Sequence, residues 1–138
     1  MDLRLPDWQD RLRAFLDSRR DVPFDWERND CLRFCGDAFE AMTGVDPIHE
    51  YRSAYANQEE SEATVEKNGG LLLGVSAKLG ESIPWKFAQA GDVVLANMRG
   101  KAVLGLCIGE NFVGPDTDGL GFCRMADVAV RAWKTGRE

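Results

Sequence analysis

The sequence predicts a single α+β domain, with N-terminal helices packed on a C-terminal antiparallel β-sheet. Apolar residues recur at helical spacing through the first half of the chain. Short runs rich in β-branched residues, separated by turn residues, fill the second half. The chain has 138 residues, of which 44% are hydrophobic and 29% charged, a composition ordinary for one globular domain. We therefore assign residues 1–138 to a single domain.

The first half of the chain predicts four helices. The first follows a proline–aspartate start signal and covers about residues 8–19. The second begins at Cys31, with Asn29 or Asp30 as its N-cap, and ends at Gly44. Two more helices are predicted within residues 57–70, an acidic segment stopped by two glycines, and 71–80, an apolar segment.

The second half predicts five strands joined by turns. Each run is short, rich in valine, leucine or aromatic residues, and bounded by glycine, aspartate or asparagine. Consecutive short strands with tight connections form antiparallel sheets. The predicted strands lie within residues 91–98, 101–109, 111–114, 119–125 and 128–134.

Charge and hydropathy exclude several classes of protein. The net charge of −6 argues against a nucleic-acid binder, which would carry a basic face. No segment approaches the ~20 apolar residues of a membrane span. The N-terminal segment MDLRLPDWQD lacks the apolar core of a signal peptide, so we expect synthesis in the cytoplasm.

The four cysteines are expected to be thiols rather than disulfides. No signal peptide directs them to an oxidising compartment, and no pair has the C-x-x-C spacing of a zinc or redox site. The only histidine, His49, falls in a predicted loop. We therefore expect no metal and no cofactor.

Cys31 is the one residue whose position suggests chemistry. A cysteine in the first turn of a helix lies near unpaired N–H groups and the positive end of the helix dipole, which favour the thiolate. Cysteine peptidases use this placement, with a histidine as base. The alternative is that Cys31 and Cys35 are small apolar residues on a buried helix face, which is a common role of free cysteine.

Several segments together carry a resemblance to a known family. They are W-x-x-N-D-C at 26–31, A-x-A-G-D-V-V at 88–94, L-G-L-C-I-G at 104–109, and the later segments DGLGF and RAW. Over roughly residues 5–135 the chain resembles the NlpC-type cysteine peptidases, papain-like proteins of bacterial cell-wall enzymes and phage tails. More narrowly, it resembles a phage-associated branch of that clan. The resemblance implies an NlpC/papain-like packing of helices on the sheet.

The resemblance also implies roles for individual residues. Cys31 matches the nucleophile, Asp30 the acidic residue before it, and Gly91-Asp92 the start of the first central strand. The family's base is the histidine of an H-V-G-I-Y-x-G strand, and aligning the two glycines of that motif places the base at Val103. Valine transfers no proton, and general acid–base assistance is worth about 10²–10⁴ in rate.

A pocket is predicted beside Cys31. Its candidate residues are Trp26, Arg28, Asn29, Asp30 and Asn111, of which Asn111 is a candidate for the third polar residue of the family. Arg28 has an equal alternative, an ion pair at the surface with Asp25 or Glu27. His49 would replace the missing base only if its loop folded over Cys31; otherwise it is a surface residue.

Strand alternation adds an expectation about packing. Val103, Gly105 and Cys107 share one face of their strand. With the geometry that the resemblance implies, this face packs on the Cys31–Cys35 face of the helix. Cys35 and Cys107 would then be neighbours in the core.

Three functions follow, in order of preference. The first is a catalytically impaired peptidase-like domain that acts as a structural component of a phage tail or tail tip and contacts other tail proteins. Its location would be the virion, after synthesis in the bacterial host. The second is an active cysteine peptidase or amidase that cleaves peptidoglycan stem peptides during phage entry, with Cys31 as nucleophile. The third is a thiol-ligated metal module that uses Cys31, Cys35 and Cys107, with or without Cys123.

Overall fold

The computed structural model describes residues 2–137 and shows an α+β domain of helices packed against one antiparallel sheet. The four predicted helices are confirmed, and a fifth, of only four residues, was not predicted. Short 3-10 turns at His49–Tyr51 and Trp85–Phe87 were also not predicted. The helices are α1 (Trp8–Arg19), α2 (Cys31–Thr43), α3 (Gln58–Lys67), α4 (Leu71–Leu79) and α5 (Met125–Val128).

Helix α2 has well-defined ends. Of the two N-cap candidates, Asp30 is the one used: its side chain accepts a hydrogen bond from the backbone N–H of Arg33, at 3.3 Å. At the other end Gly44 adopts a left-handed conformation with φ of 78°. These caps fix where Cys31 stands, at the first helical residue.

The five predicted strands are confirmed, and a two-residue edge strand precedes them. The sheet has the order β1-β6-β2-β3-β4-β5, and every neighbouring pair is antiparallel. The strands are β1 (Ile83–Pro84), β2 (Val93–Met98), β3 (Lys101–Ile108), β4 (Asn111–Asp116), β5 (Gly119–Arg124) and β6 (Ala129–Trp133).

The sheet is strongly curled, as the connection from β5 to β6 requires. Three strands separate β5 from β6, which in a flat sheet corresponds to a distance of roughly 19 Å at about 4.8 Å per strand. The connection is only α5, whose four residues rise by about 6 Å. The ends of β5 and β6 must therefore lie close together, and Met125 of α5 packs inside the curl.

Both faces of the sheet are buried, in two separate clusters. One face packs on α1 and α2 and contributes Val93, Leu95, Leu104, Leu106, Val113 and Trp133. The inner face of the curl contributes Val94, Ala96, Cys107, Phe112 and Ala132, and Met125 packs against them. The sheet therefore separates a core shared with the helices from a smaller core inside its own curl.

The predicted packing of β3 is wrong. Leu104 and Leu106, not Val103 and Cys107, face the helices, and Cys35 lies in the helix-side cluster while Cys107 lies in the other. Alternation along a strand separates two faces but does not say which one meets the helices. Because both faces of β3 are apolar, the sequence pattern alone could not decide between them.

Asp92 joins the start of β2 to the C-terminal segment. Its buried carboxylate accepts hydrogen bonds from the backbone N–H groups of Gln89, at 2.9 Å, and Thr135, at 3.1 Å. It also forms an ion pair with Arg137. From the sequence, Asp92 was predicted only to start a strand, and its link to the C-terminal segment was not predicted.

Within residues 2–137, none of the helices combines the length and the apolar character that crossing a bilayer demands.

Candidate functional site

A cleft of about 720 Å³ opens beside the N-terminus of α2, and Cys31 lies in its lining. The remaining walls come from the 24–26 segment, α3 and the sheet. Aromatic and apolar side chains make up much of the surface, among them Phe24, Trp26, Met98, Phe112 and Phe122. This cleft is the candidate site because it contains the residue whose position the sequence singled out.

The cleft exists because β3 and β4 separate. Their pairing covers only Leu106–Ile108 of β3, opposite Asn111–Val113 of β4. Two residues further along β4 stands Pro115, which has no N–H to donate and cannot continue the ladder. Beyond that point β4 pairs with β5 alone, and the opening between the strands becomes part of the cleft.

The segment before α2 is held against the end of the β4–β5 hairpin. The backbone N–H of Phe24 donates to the carbonyl of Asp116, at 2.8 Å, and that of Leu120 donates to the carbonyl of Arg20, at 3.0 Å. Phe24 and Trp26 then pack edge to face with ring centroids 4.8 Å apart. This wall of the cleft is therefore fixed to the sheet.

Behind Cys31 lies a buried polar cluster formed by Asp30, Arg33 and Tyr55. Arg33 donates to the Asp30 carboxylate at 3.2 Å, and both side chains are at most 5% exposed. The Tyr55 hydroxyl donates to the same carboxylate. Arg33 also donates to the carbonyls of Trp26, at 2.6 Å, and Arg52, at 2.8 Å.

This cluster fixes the position of Cys31 without activating it. It satisfies the buried charge of Asp30 and ties α2 to the chain on both sides. Because a buried carboxylate needs partners, the cluster also explains why an acidic residue stands directly before Cys31. Neither Arg33 nor Tyr55 was predicted to belong to the site, since no motif spacing links them to Cys31.

The thiol of Cys31 is protonated at neutral pH. Cys31 is partly exposed in the cleft, yet burial of its sulfur raises the pKa to about 11. The backbone N–H groups of Leu104, Leu32 and Cys31 itself favour the thiolate, but burial, assisted by the negative charge of Asp30, outweighs them. The activating effect expected from the helix N-terminus is thus not realised.

No histidine lines the cleft. The single histidine of the chain, His49, lies in the 3-10 turn with its side chain 88% exposed and 3.9 Å from Asp46. Val103, which occupies the expected base position, does line the cleft, but it is partly buried against the inner cluster of the sheet. Neither residue can take a proton from Cys31.

Only part of the predicted pocket is brought together. Trp26 and Asp30 line the cleft with Cys31. Asn29 is buried behind it, where its amide donates to the carbonyls of Val22 and Pro23. The other two candidates, Arg28 and Asn111, are exposed and do not line the cleft, Asn111 because it starts β4 at the far end of the strand.

The thiols are not gathered into a metal site. Cys35 and Cys107 lie in clusters on opposite sides of the sheet. Within residues 2–137 no group of three or more histidine, cysteine, aspartate or glutamate side chains is arranged to hold a metal ion. The metal site that the four cysteines suggested is therefore not formed.

A second cavity, of about 60 Å³, lies between α2 and α4 and has an almost wholly apolar lining. Its one thiol, Cys35, is buried, and burial raises the pKa of that thiol well above its ordinary value. Because the lining is apolar and its one thiol is buried, this cavity is not the candidate site.

Fold and site together define an α+β protein with an open cleft over a cysteine at a helix N-terminus. A family model described as a domain of unknown function, DUF6950, matches residues 3–135. The chain therefore belongs to this family. No curated protein matches it.

Proposed function

We propose that the protein is a catalytically impaired, peptidase-like binding domain that serves as a structural component of a phage tail or tail tip. The geometry around Cys31 is the observation that supports the loss of catalytic activity. Cys31 stands where a nucleophile would, in a cleft without a histidine, and its pKa is raised to about 11. The assignment to a phage tail is supported by the sequence resemblance alone.

Thiol hydrolysis needs a thiolate and a proton donor for the leaving amine. A thiol with a pKa of about 11 supplies about one thiolate in ten thousand at pH 7. Val103 supplies no proton. Both requirements therefore argue against turnover.

The cleft itself remains suitable for binding. In its support, the Arg33 guanidinium donates to the Asp30 carboxylate and to the carbonyls of Trp26, Arg52 and Tyr55. The lining of the cleft is rich in aromatic side chains. Such clefts are common binding sites, and a scaffold can keep its shape after losing a catalytic group.

The test of impairment is an assay of new amino groups released from soluble peptidoglycan fragments, with Cys31→Ala as the matched control. We expect the two proteins to release the same background amount. Turnover by the unmodified chain that Cys31→Ala abolishes would overturn the proposal and establish the thiol hydrolase. One observation favours that second candidate: backbone N–H groups, including that of Leu104, do favour the Cys31 thiolate.

The phage-tail assignment has its own test. Purified particles of a phage that encodes the chain are digested and quantified by mass spectrometry. We expect a constant number of copies per particle, enriched in isolated tails relative to heads. A chain found only in the lysate, and absent from particles, would remove the structural role.

A further inference from the structure

We infer that the cleft binds a small amphipathic organic cation. The aromatic or aliphatic body of this ligand lies on the floor of the cleft, and its ammonium or guanidinium group lies at the acidic rim. This inference rests on the proposed function, because it takes the cleft as a binding site rather than a hydrolytic one. It names the chemical class of ligand that the cleft recognises.

The floor of the cleft is apolar and lies inside the domain. Leu104, Phe112 and Tyr55 line the cleft although each of them is buried, so they must lie at its inner end. The volume of about 720 Å³ falls within the range of about 300–1,000 Å³ that is typical of small-molecule sites. The depth and the lining therefore suit the apolar body of a small ligand.

The floor does not offer a partner to the charged end of a ligand. Among the described residues that line the cleft, Asp30 is the one charged residue that is buried. Its carboxylate already pairs with Arg33 and accepts a hydrogen bond from the Tyr55 hydroxyl. A charged group placed on the floor would lose its hydration without gaining a counter-ion. The charged end of the ligand therefore lies at the rim.

The rim of the cleft carries an excess of negative charge. Its exposed charged residues are three carboxylates and one ammonium: Glu62, Glu66, Asp116 and Lys101. Within residues 2–137 none of these four forms an ion pair. Because the carboxylates outnumber the ammonium and are not compensated inside the protein, the rim complements a cationic group.

Glu62 and Glu66 give the cation a defined place. They stand one turn apart on the same face of α3, where like charges repel each other. Glu62 accepts a hydrogen bond from the amide of Gln58, at 3.0 Å, but this neutral donor leaves its negative charge in place. A cation beside the two carboxylates relieves their repulsion and attracts both. The cationic group of the ligand therefore lies at these two residues.

The experiment compares ligands that share one apolar body and differ in the head group. Phenethylammonium is the cation, phenethyl alcohol the neutral control and hydrocinnamate the anion, while methylammonium presents the head group without the body. Binding to the full chain at pH 7 is followed in the ¹⁵N–¹H spectrum. We expect saturable binding of phenethylammonium, with the amides of Leu104 and Glu66 among those that shift. The alcohol should bind about two- to thirtyfold more weakly, and the other two ligands should not saturate the site.

Two variants with equal change of net charge locate the site of the cation. Glu62→Gln/Glu66→Gln removes the paired carboxylates of α3, and we expect about two- to thirtyfold weaker binding of phenethylammonium. Glu40→Gln/Glu81→Gln removes two exposed carboxylates that do not line the cleft and should bind as the unmodified chain does. All four side chains are exposed, so each variant should fold.

The outcomes separate this inference from the proposed function. Absence of saturable phenethylammonium binding, equal affinity for the three head groups, or equal weakening in both double variants would overturn the inference. The loss of catalytic activity would still stand, because the peptidoglycan assay with Cys31→Ala tests it separately. Turnover in that assay that Cys31→Ala abolishes would instead overturn the proposed function and leave the cation site in place.

Discussion

The Arg33 guanidinium lies 4.2 Å from the centroid of the Tyr55 ring, and its Nη2 donates a hydrogen bond to the carbonyl of the same residue, at 2.7 Å. Twenty-two positions separate the two residues. The contact therefore closes the segment after α2 over the start of that helix. The pairing is therefore one of the contacts that hold the start of α2, where Cys31 stands.

Loss of Arg33 should be strongly destabilising. Arg33→Met leaves the Asp30 carboxylate buried without its cation, and removing one partner of a buried pair costs about 3–5 kcal/mol. Urea unfolding measures the change. Arg11→Met, which removes an exposed ion pair with Asp7, is the matched control and should barely change stability. Equal effects of the two substitutions would contradict the assigned role of the cluster.

Gly105 should not tolerate a side chain. A Cβ at this position would lie 2.5 Å from Cε2 of Phe112 and 2.6 Å from the carbonyl oxygen of Val113. We expect Gly105→Ala to destabilise by about 1–3 kcal/mol, because the ring and strand must move. Gly114→Ala is the control, since the nearest atom there is 3.7 Å away. A stable Gly105→Ala with unchanged midpoint would refute the contact.

Cys31 should react slowly with iodoacetamide at neutral pH. The pKa of about 11 predicts a rate that rises about tenfold per pH unit from pH 6 to 10. Peptide mass spectrometry gives the rate at each cysteine, and the urea-unfolded protein provides the reference. Rapid labelling of Cys31 at pH 6 in the folded protein would show an activated thiolate and favour the hydrolase.

Stability should fall as the pH rises above about 9. Burial raises the pKa of Cys31 from 9.0 to about 11, so between these values the native state holds a proton that the unfolded chain has lost. The unfolding free energy therefore decreases with pH in this window. Urea unfolding at pH 8 and 10 should show a smaller decrease in Cys31→Ala than in the unmodified chain. Ser61→Ala, which removes no ionisable thiol, should keep the original slope; an unchanged slope in Cys31→Ala would contradict the raised pKa.

The elements of the fold could be predicted because their signals are local. Asp30 and Gly44 bracket α2 with caps that only a helix needs. The glycines at 69–70 and 80 likewise mark the ends of α3 and α4. The short α5 and the two-residue β1 carried no such signals, because they form only where the curled sheet brings their neighbours together.

The site was less predictable because its contacts are distant in sequence. Tyr55 reaches Asp30 across twenty-five positions, and nothing in the spacing of either residue indicates the other. The prediction placed Asn111 in the pocket by its motif position, whereas the register of β4 puts it at the far end of the strand. Cys31 itself was placed correctly, since its helix cap is local.

Pro115 has a consequence for how the cleft works. A strand that merely happened to stand apart from its neighbour could close up by forming the next hydrogen bonds of the ladder. Here the chain lacks one of the two donors of the next pair, because Pro115, which would stand opposite Leu104, has no N–H. The separation of β3 and β4 is thus a property of the sequence, and the cleft between them does not depend on a fluctuation of the strands.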